Sequence, residues 1–353
     1  MNATVHRTRL VLAVTGALCG CAVTPSEPGF SARAPAVARA SVDPRYVRPG
    51  PPPTAMVSRV GGGSIADVFD VALPPKAAPH APPEARAPIR LRWWRPLAAN
   101  GPAGPRPLVV IAPILGSETA FVESFARRFA QEGWHAAIVF HPEVAYDPAR
   151  PLAQVEERLA DAVMRRVEVL DWFLEHGDVD RARVASLGIS AGGIEASMVA
   201  GADPRYRAHV IGLAGGPLAD VFIDSDEADI RRVVAVACDA NHTTREGLRE
   251  PLRKVIRTDP VLLAPRVERD AVLLVLARLD RAVPARTGAA LRDALGRPAT
   301  IHLPLGHYAS VLFLPFVEPR VLDFLRARFD GVPNETHPPG GGTVSVSSHE
   351  NPR

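Results

Sequence analysis

The sequence contains few lysines and few aromatic residues, and it has no strong excess of either charge. Lys76 and Lys254 are the only lysines among 353 residues, and aromatic residues make up 6% of the chain. Arginine supplies most of the positive charge, but the arginines are dispersed and the formal net charge is only +3 at pH 7. Because nucleic-acid-binding proteins usually cluster basic residues on one face, this pattern argues against a nucleic-acid partner.

Cysteine is equally scarce, with Cys19, Cys21 and Cys238 as the complete set. Their spacing is not that of a zinc site, and the chain has no His-Glu-x-x-His sequence. We therefore expect no metal ion.

The N-terminus has a short apolar run, Leu10 to Leu18, that leads to a cysteine. A bilayer span needs about 20 apolar residues, so residues 1–20 are predicted to be a signal peptide. Leu18-Cys19-Gly20-Cys21 resembles the lipobox of bacterial lipoproteins, which implies acylation of Cys21 and a membrane anchor. The next residue, Ala22, resembles the sorting pattern of outer-membrane lipoproteins. The protein is therefore expected at the outer membrane, where it faces the periplasm or the exterior. An ordinary cleaved leader is the alternative.

Both flanks of the central region are rich in proline, alanine and glycine. Residues 21–62 have little periodicity and are predicted to be a tether, and residues 331–353 a disordered tail. The folded domain is expected to cover residues 63–330.

Within that domain, predicted strands alternate with predicted helices. The first two, Val68 to Leu73 and Ile89 to Trp94, are expected to be edge strands, and Leu108 to Ala112 is the first buried one. A long helix over residues 152–176 carries one apolar stripe, with Arg165 and Arg166 off that stripe and expected to face solvent. This alternation predicts an α/β fold, with a mostly parallel sheet covered by helices on both faces.

The alternation breaks between Gly216 and Pro260, where two short helices are predicted before the next strand. We interpret residues 216–260 as a cap over the carboxyl edge of the sheet. An ordinary pair of connecting helices is the alternative.

Residues Gly188 to Gly192 match the pattern Gly-x-Ser-x-Gly between a predicted buried strand and a helix rich in small residues. A sharp strand-to-helix turn needs small residues on both sides of its central serine. This context predicts that Ser190 is a nucleophile, whereas a merely structural turn is the alternative.

A serine hydroxyl needs an imidazole base and an acid that orients the base. Asp280 follows the apolar run Ala271 to Ala277, and His307 follows the next predicted strand, so both can reach the edge of the sheet where Ser190 lies. His135 and His141 flank another strand and are not excluded as the base.

Together these segments resemble the serine-dependent α/β-hydrolase family over residues 63–330, with the nucleophile, acid and base in that family's order. Some members carry the acid one strand earlier, where Asp220 is the candidate. The resemblance also implies an oxyanion hole formed by the N–H of Ala191 and one N–H of the loop after residue 112. Pro113 has no N–H, so Ile114 is the predicted second donor, with Leu115 next.

The resemblance implies a serine hydrolase that cleaves carboxylic esters of small molecules through an acyl-enzyme on Ser190 and needs no cofactor. An amidase, peptidase or acyltransferase would use the same residues. A non-catalytic envelope protein that retains the fold is the alternative from another class. The oligomeric state stays open.

Overall fold

A computed structural model describes residues 41–50, 53–74, 76, 86–101, 103–115, 120–142, 147, 149–150, 152–176 and 178–330. The predicted signal peptide, the predicted lipidation site Cys21 and the predicted tail lie outside these residues. In the described part of the chain, no helix has the length and apolar character needed to span a membrane.

The core of the domain is a nine-stranded sheet in the order β1-β2-β3-β5-β4-β6-β7-β8-β9. Strands β1 to β3 and their pairing with β5 are antiparallel, whereas all pairs from β5 to β9 are parallel. The strands are β1 Met56–Gly62, β2 Ala66–Leu73, β3 Ile89–Pro96, β4 Arg106–Ala112, β5 His135–Val139, β6 Val179–Ile189, β7 Ala208–Gly212, β8 Val272–Ala277 and β9 Ala299–Leu303.

Four interior strands of the parallel part of the sheet are buried along their whole length. Every residue of β4, β5, β7 and β8 is buried, as expected for parallel strands covered on both faces. The helices that cover them are α1 Ala120–Gln131, α2 Ala153–His176, α3 Ala191–Ala202, α4 Leu218–Asp224, α5 Ala228–Ala240, α6 Arg249–Val255, α7 Pro260–Leu263, α8 Ala285–Ala294 and α9 Leu314–Asp330. The predicted fold class is confirmed.

The folded domain begins earlier than residue 63. The described part of the predicted tether contains β1, which pairs with β2, and a 3-10 helix at Pro44–Tyr46. Tyr46 is 1% exposed, and its hydroxyl lies 3.0 Å from Oγ1 of Thr258. A single buried aromatic residue and one short strand attach this segment to the domain. These features are too few to change its linker-like composition, so the sequence did not reveal its role.

The first two predicted strands are not edge strands. The edge position belongs to β1, while β2 lies between β1 and β3, and β3 pairs with β5 through Leu91 and Val139. Strand β3 is therefore an interior strand that joins the antiparallel part of the sheet to the parallel part.

Residues 216–260 contain more helix than the sequence predicts. Helices α4, α5 and α6 lie there, with a 3-10 turn at Glu246–Leu248 before α6. Ile256 and Leu252 are buried, as is Val234 of α5. The insertion is a small helical layer with its own apolar contacts, and it follows β7 at the carboxyl edge of the sheet.

Candidate active site

Ser190 lies at a tight turn between β6 and α3. Its backbone has φ 60° and ψ −124°, a left-handed conformation that is unusual for a residue with a side chain. Its N–H donates to the carbonyl of Gly212 across 2.9 Å. The turn thus presents the hydroxyl at the carboxyl edge of the sheet.

The two glycines of the turn are required by close backbone packing. A Cβ on Gly188 would lie 1.9 Å from the carbonyl oxygen of Gly192, and a Cβ on Gly192 would lie 2.2 Å from that of Ala112. Any side chain at either position would force the turn open. The Gly-x-Ser-x-Gly spacing therefore reports a real geometric constraint in this chain.

Three predicted site residues form one hydrogen-bonded chain. Nε2 of His307 lies 2.8 Å from Oγ of Ser190, and Nδ1 of His307 lies 2.7 Å from Oδ2 of Asp280. An ionised carboxylate only accepts, so Nδ1 carries the proton and Nε2 is free to accept from the serine hydroxyl. The arrangement is that of a nucleophile, a base and an orienting acid.

Asp280 is held in place by its own loop after β8. It is 6% exposed, and its Oδ1 accepts a hydrogen bond from the N–H of Val283 across 2.9 Å. A carboxylate fixed by the backbone can hold the imidazole in one orientation, because neither partner is then free to rotate.

Asp220, the alternative acid, lies elsewhere, in α4 of the insertion. Its carboxylate pairs with Arg249 across 2.5 Å and with Arg253 across 3.0 Å. Burial raises the pKa of Asp220, but the hydrogen bonds and charges of these two arginines outweigh burial and leave that pKa below its usual range. The structure therefore places Asp220 in an ion-pair cluster and Asp280 beside His307.

The alternative bases also have other partners. His135 is fully buried and accepts from Nε1 of Trp93 across 3.1 Å, with Nε2 of the ring 3.2 Å from Asp178. His141 contacts Glu195 and Pro113. Only His307, among these three, is bonded to the Ser190 hydroxyl.

The predicted oxyanion donors lie at the same edge. Ala191 is the first residue of α3, where backbone N–H groups have no acceptor within the helix. Ile114 and Leu115 follow β4, and both line the cavity that contains Ser190.

Comparisons with known proteins agree with the fold described above. Residues 160–303 match the model of the prolyl oligopeptidase family. The acetyl xylan esterase of Paenibacillus sp. R4 superposes with a TM-score of 0.60 at 18% identity, covering 78% of this chain and 89% of that one. No curated protein matches the sequence.

Two further solved structures have the same architecture. Acetyl xylan esterase 1 of Thermoanaerobacterium sp. JW/SL YS485 has a TM-score of 0.58 at 15% identity, covering 78% of this chain and 88% of that one. A cold-adapted esterase from an Arctic intertidal metagenomic library has a TM-score of 0.51 at 18% identity, covering 76% of this chain and 97% of that one. At such identities the likeness establishes the fold.

The chain has the α/β-hydrolase fold. Its nucleophile turn, its parallel sheet and its insertion after β7 all belong to one domain. Within the described residues of this domain, no group of three or more His, Cys, Asp or Glu side chains is placed to hold a metal ion.

A cavity of about 1830 Å³ opens beside Ser190. Its volume exceeds the roughly 300 to 1,000 Å³ that is usual for small-molecule sites. Apolar side chains from the insertion form part of its wall, namely Leu218, Val221, Phe222 and Ile230. Of three neighbouring apolar residues in α5, Ile230 lines the cavity, whereas Val234 is buried in the core and Val233 is not part of the wall.

Arg165 and Arg166 of α2 are buried in the domain, so the expectation that they face solvent is wrong. Arg165 is 0% exposed and donates to the carbonyl of Ala87 across 2.9 Å. Arg166 is 3% exposed and pairs with Glu195 of α3. Both guanidinium groups find partners on segments far away in sequence, which a helical stripe cannot reveal.

Glu195 is the site residue that the sequence analysis missed. It is the only charged residue in α3, and it is 8% exposed within five residues of Ser190. An isolated carboxylate in a helix of small apolar residues is a signal of a buried partner, since unpaired buried charges are costly. Its partners are Arg166 and His141.

Proposed function

We propose that the protein is a serine hydrolase that cleaves carboxylic esters through an acyl-enzyme on Ser190. The observation that carries the proposal is the chain of hydrogen bonds from Ser190 through His307 to Asp280, at 2.8 and 2.7 Å. A serine hydroxyl is a weak nucleophile at neutral pH, and this arrangement supplies the base that activates it.

In the first step, Oγ of Ser190 attacks the ester carbonyl while Nε2 of His307 takes the hydroxyl proton. Asp280 stabilises the resulting imidazolium through the proton on Nδ1. The negative charge that develops on the carbonyl oxygen is stabilised by the N–H groups of Ala191 and Ile114. His307 then gives its proton to the leaving alcohol, and the acyl group stays on Ser190.

The second step regenerates the serine. A water molecule loses a proton to Nε2 of His307 and attacks the acyl carbonyl through a second tetrahedral intermediate. The bond between that carbon and Oγ breaks, the proton returns from His307 to Ser190, and the carboxylic acid leaves. The overall reaction consumes one ester and one water, and it yields an acid and an alcohol without a cofactor.

Ester bonds are the favoured substrate because of the similar structures. Two are acetyl xylan esterases and a third is an esterase, and each is covered over at least 88% of its length. The apolar wall from the insertion is compatible with an acyl chain or an apolar alcohol. Small-molecule esters are therefore the substrate class that we propose.

Amide hydrolysis is the second candidate, because the matching family model is that of the prolyl oligopeptidases. A puromycin-hydrolyzing peptidase of Mycobacterium tuberculosis is also similar, with a TM-score of 0.52 at 14% identity over 78% of this chain and 46% of that one. The same acyl-enzyme would form from an amide, with an amine as the leaving group.

A matched pair of substrates separates the two candidates. p-Nitrophenyl acetate and p-nitroacetanilide share the acyl group and differ only in the atom that leaves. We expect turnover of the ester and little or none of the anilide, and p-nitrophenyl esters of graded acyl length would then define the preference. Comparable turnover of the anilide would favour the amidase, and no turnover of either by folded protein would favour a binding protein.

We also propose that the mature protein is exported and held at the outer membrane through lipid on Cys21. The support is the sequence around Cys21 alone, since this residue lies outside the described part of the chain. Several acyl chains hold a protein firmly at a membrane, whereas one gives only marginal binding.

A further inference from the structure

A partly buried network joins helix α3 to the loop that follows β4. Nδ1 of His141 lies 3.1 Å from Oε1 of Glu195, and Nε2 lies 3.2 Å from the carbonyl oxygen of Pro113. The other oxygen of Glu195 pairs with Arg166. His141, Glu195 and Arg166 all line the cavity that contains Ser190.

Both nitrogens of the His141 ring face acceptors. A carboxylate and a backbone carbonyl can only accept, and a neutral imidazole carries a single N–H. Two hydrogen bonds therefore form only when both nitrogens carry protons, so the geometry selects the imidazolium. The charge of Glu195 raises the pKa of His141, burial and Arg166 lower it, and the raising effects are larger.

The charged surroundings of His141 come from several elements. Glu195 of α3 contacts the ring, and Arg166 of α2 contacts the other oxygen of the same carboxylate. Arg158 and Asp161 of α2 and Arg90 of β3 also line the cavity. Besides pairing with Glu195, Arg166 donates to the carbonyl oxygens of Ala162 in its own helix and of Val139.

The loop held in this way is the one that carries the predicted oxyanion donor. Pro113 directly precedes Ile114, so the position of its carbonyl sets the orientation of the next peptide N–H. Glu195 lies in the same helix as the other donor, Ala191. His141 thus spans the two backbone segments whose N–H groups must converge on one oxygen.

We propose that His141 is a positioning residue that fixes the Ile114 loop relative to the nucleophile helix by donating two hydrogen bonds at once, to Pro113 and to Glu195. The proposal rests on the proposed hydrolase function. Loss of one ring proton releases one of the two partners, and the oxyanion donors are then no longer held together. The reaction should therefore slow as the pH rises through the pKa of His141.

The protonation state can be measured without any substrate. In ¹⁵N-labelled full-length protein, the imidazole nitrogens of His141 are assigned by comparison with His141→Gln. At about pH 6.5, the ordinary pKa of histidine, we expect two protonated nitrogens with the shifts of an imidazolium. A neutral ring with a single N–H at that pH would overturn the proposal.

Kinetics of the same variant tests the role. A glutamine cannot donate to acceptors on opposite sides, so His141→Gln should lower kcat roughly ten- to hundred-fold, less than the 10²- to 10³-fold typical for deleting an oxyanion donor. KM should change little, and the fall of kcat at alkaline pH should disappear. Glu195→Gln removes the charge that raises the pKa of His141, so that fall should move to lower pH.

His302→Gln is the matched control, because His302 lies in β9 and is not part of the cavity wall. It should leave kcat, KM and the pH profile unchanged. If His141→Gln lowers the melting temperature but keeps the wild-type kcat and pH profile, the residue is structural and the proposal is wrong. If the wild-type protein neither hydrolyses esters nor reacts with a fluorophosphonate, the proposed function fails, and the ring spectrum shows separately whether the two hydrogen bonds exist.

Discussion

The carboxylate of Asp280 accepts a hydrogen bond from Nδ1 of His307 across 2.7 Å, whereas Asp220 pairs with Arg249. Asp280→Asn should therefore lower kcat by about 10⁴, because an amide in that position favours the wrong tautomer of the imidazole. Asp220→Asn should leave kcat within a few-fold of the wild type, since it disturbs only the ion-pair cluster. Steady-state hydrolysis of p-nitrophenyl acetate measures both.

The two variants serve as controls for each other, because each removes one buried carboxylate. Circular dichroism and thermal melting should show that both proteins are folded. Near-normal turnover of Asp280→Asn together with loss of activity in Asp220→Asn would assign the acid to the insertion and contradict the geometry.

The insertion should control which esters enter the cavity. Ile230 lines the cavity, so Ile230→Ala enlarges it and should raise the ratio of kcat/KM for a long acyl chain over acetate by roughly tenfold, the effect of about one methylene group. Val233, in the same helix but not in the cavity wall, gives the control Val233→Ala. An equal change of preference in both variants, or in neither, would show that the insertion does not form the specificity wall.

The segment before β1 should contribute to the stability of the domain. Tyr46 is 1% exposed and its hydroxyl contacts Thr258, so Tyr46→Ala should cost about 3 to 5 kcal/mol of unfolding free energy. Val47, its neighbour, is 47% exposed, and Val47→Ala should change the free energy by no more than about 0.5 kcal/mol. Urea denaturation measures both free energies. If Tyr46→Ala lowers the free energy of unfolding as little as Val47→Ala does, this segment is a tether and does not stabilise the domain.

Lipidation at Cys21 predicts a simple fractionation result. Wild-type protein should partition with membranes, while Cys21→Ser should keep its signal peptide or be released, with altered electrophoretic mobility. Cys238→Ser controls for the loss of a thiol, since Cys238 lies within α5 of the domain. Identical membrane fractions and mobility for wild type and Cys21→Ser would contradict the anchor.

The sequence was sufficient to predict where Ser190, Asp280 and His307 meet, because each follows a buried strand and parallel strands bring their carboxyl ends to one edge. The registers between β6 and β7, between β7 and β8, and between β8 and β9 then fix the distances between the three side chains. The turn at Ser190 was equally predictable from sequence. A Cβ atom at Gly188 or Gly192 would lie less than 2.5 Å from a backbone carbonyl oxygen, so both positions require glycine.

The buried charges could not be predicted in the same way. Arg165 and Arg166 lie off the apolar stripe of α2, and several of their partners belong to other segments: Ala87 and Pro88 before β3, and Glu195 in α3. Helical periodicity identifies apolar surfaces, but it cannot detect that a guanidinium group is satisfied across the fold. The role of residues 41–62 was hidden for a related reason, because its composition resembles that of a linker.

The most direct test of the account is the reaction of Ser190 with a fluorophosphonate probe, followed by peptide mass spectrometry, in the wild type and in Ser190→Ala. We expect one phosphonylated peptide containing Ser190 in the wild type. Ser190→Ala should show no label and a kcat for p-nitrophenyl acetate lower by about 10⁴ to 10⁶, because without the hydroxyl no acyl-enzyme forms. Folded Ser190→Ala that still labels and hydrolyses the ester at the wild-type rate would contradict the serine-hydrolase account.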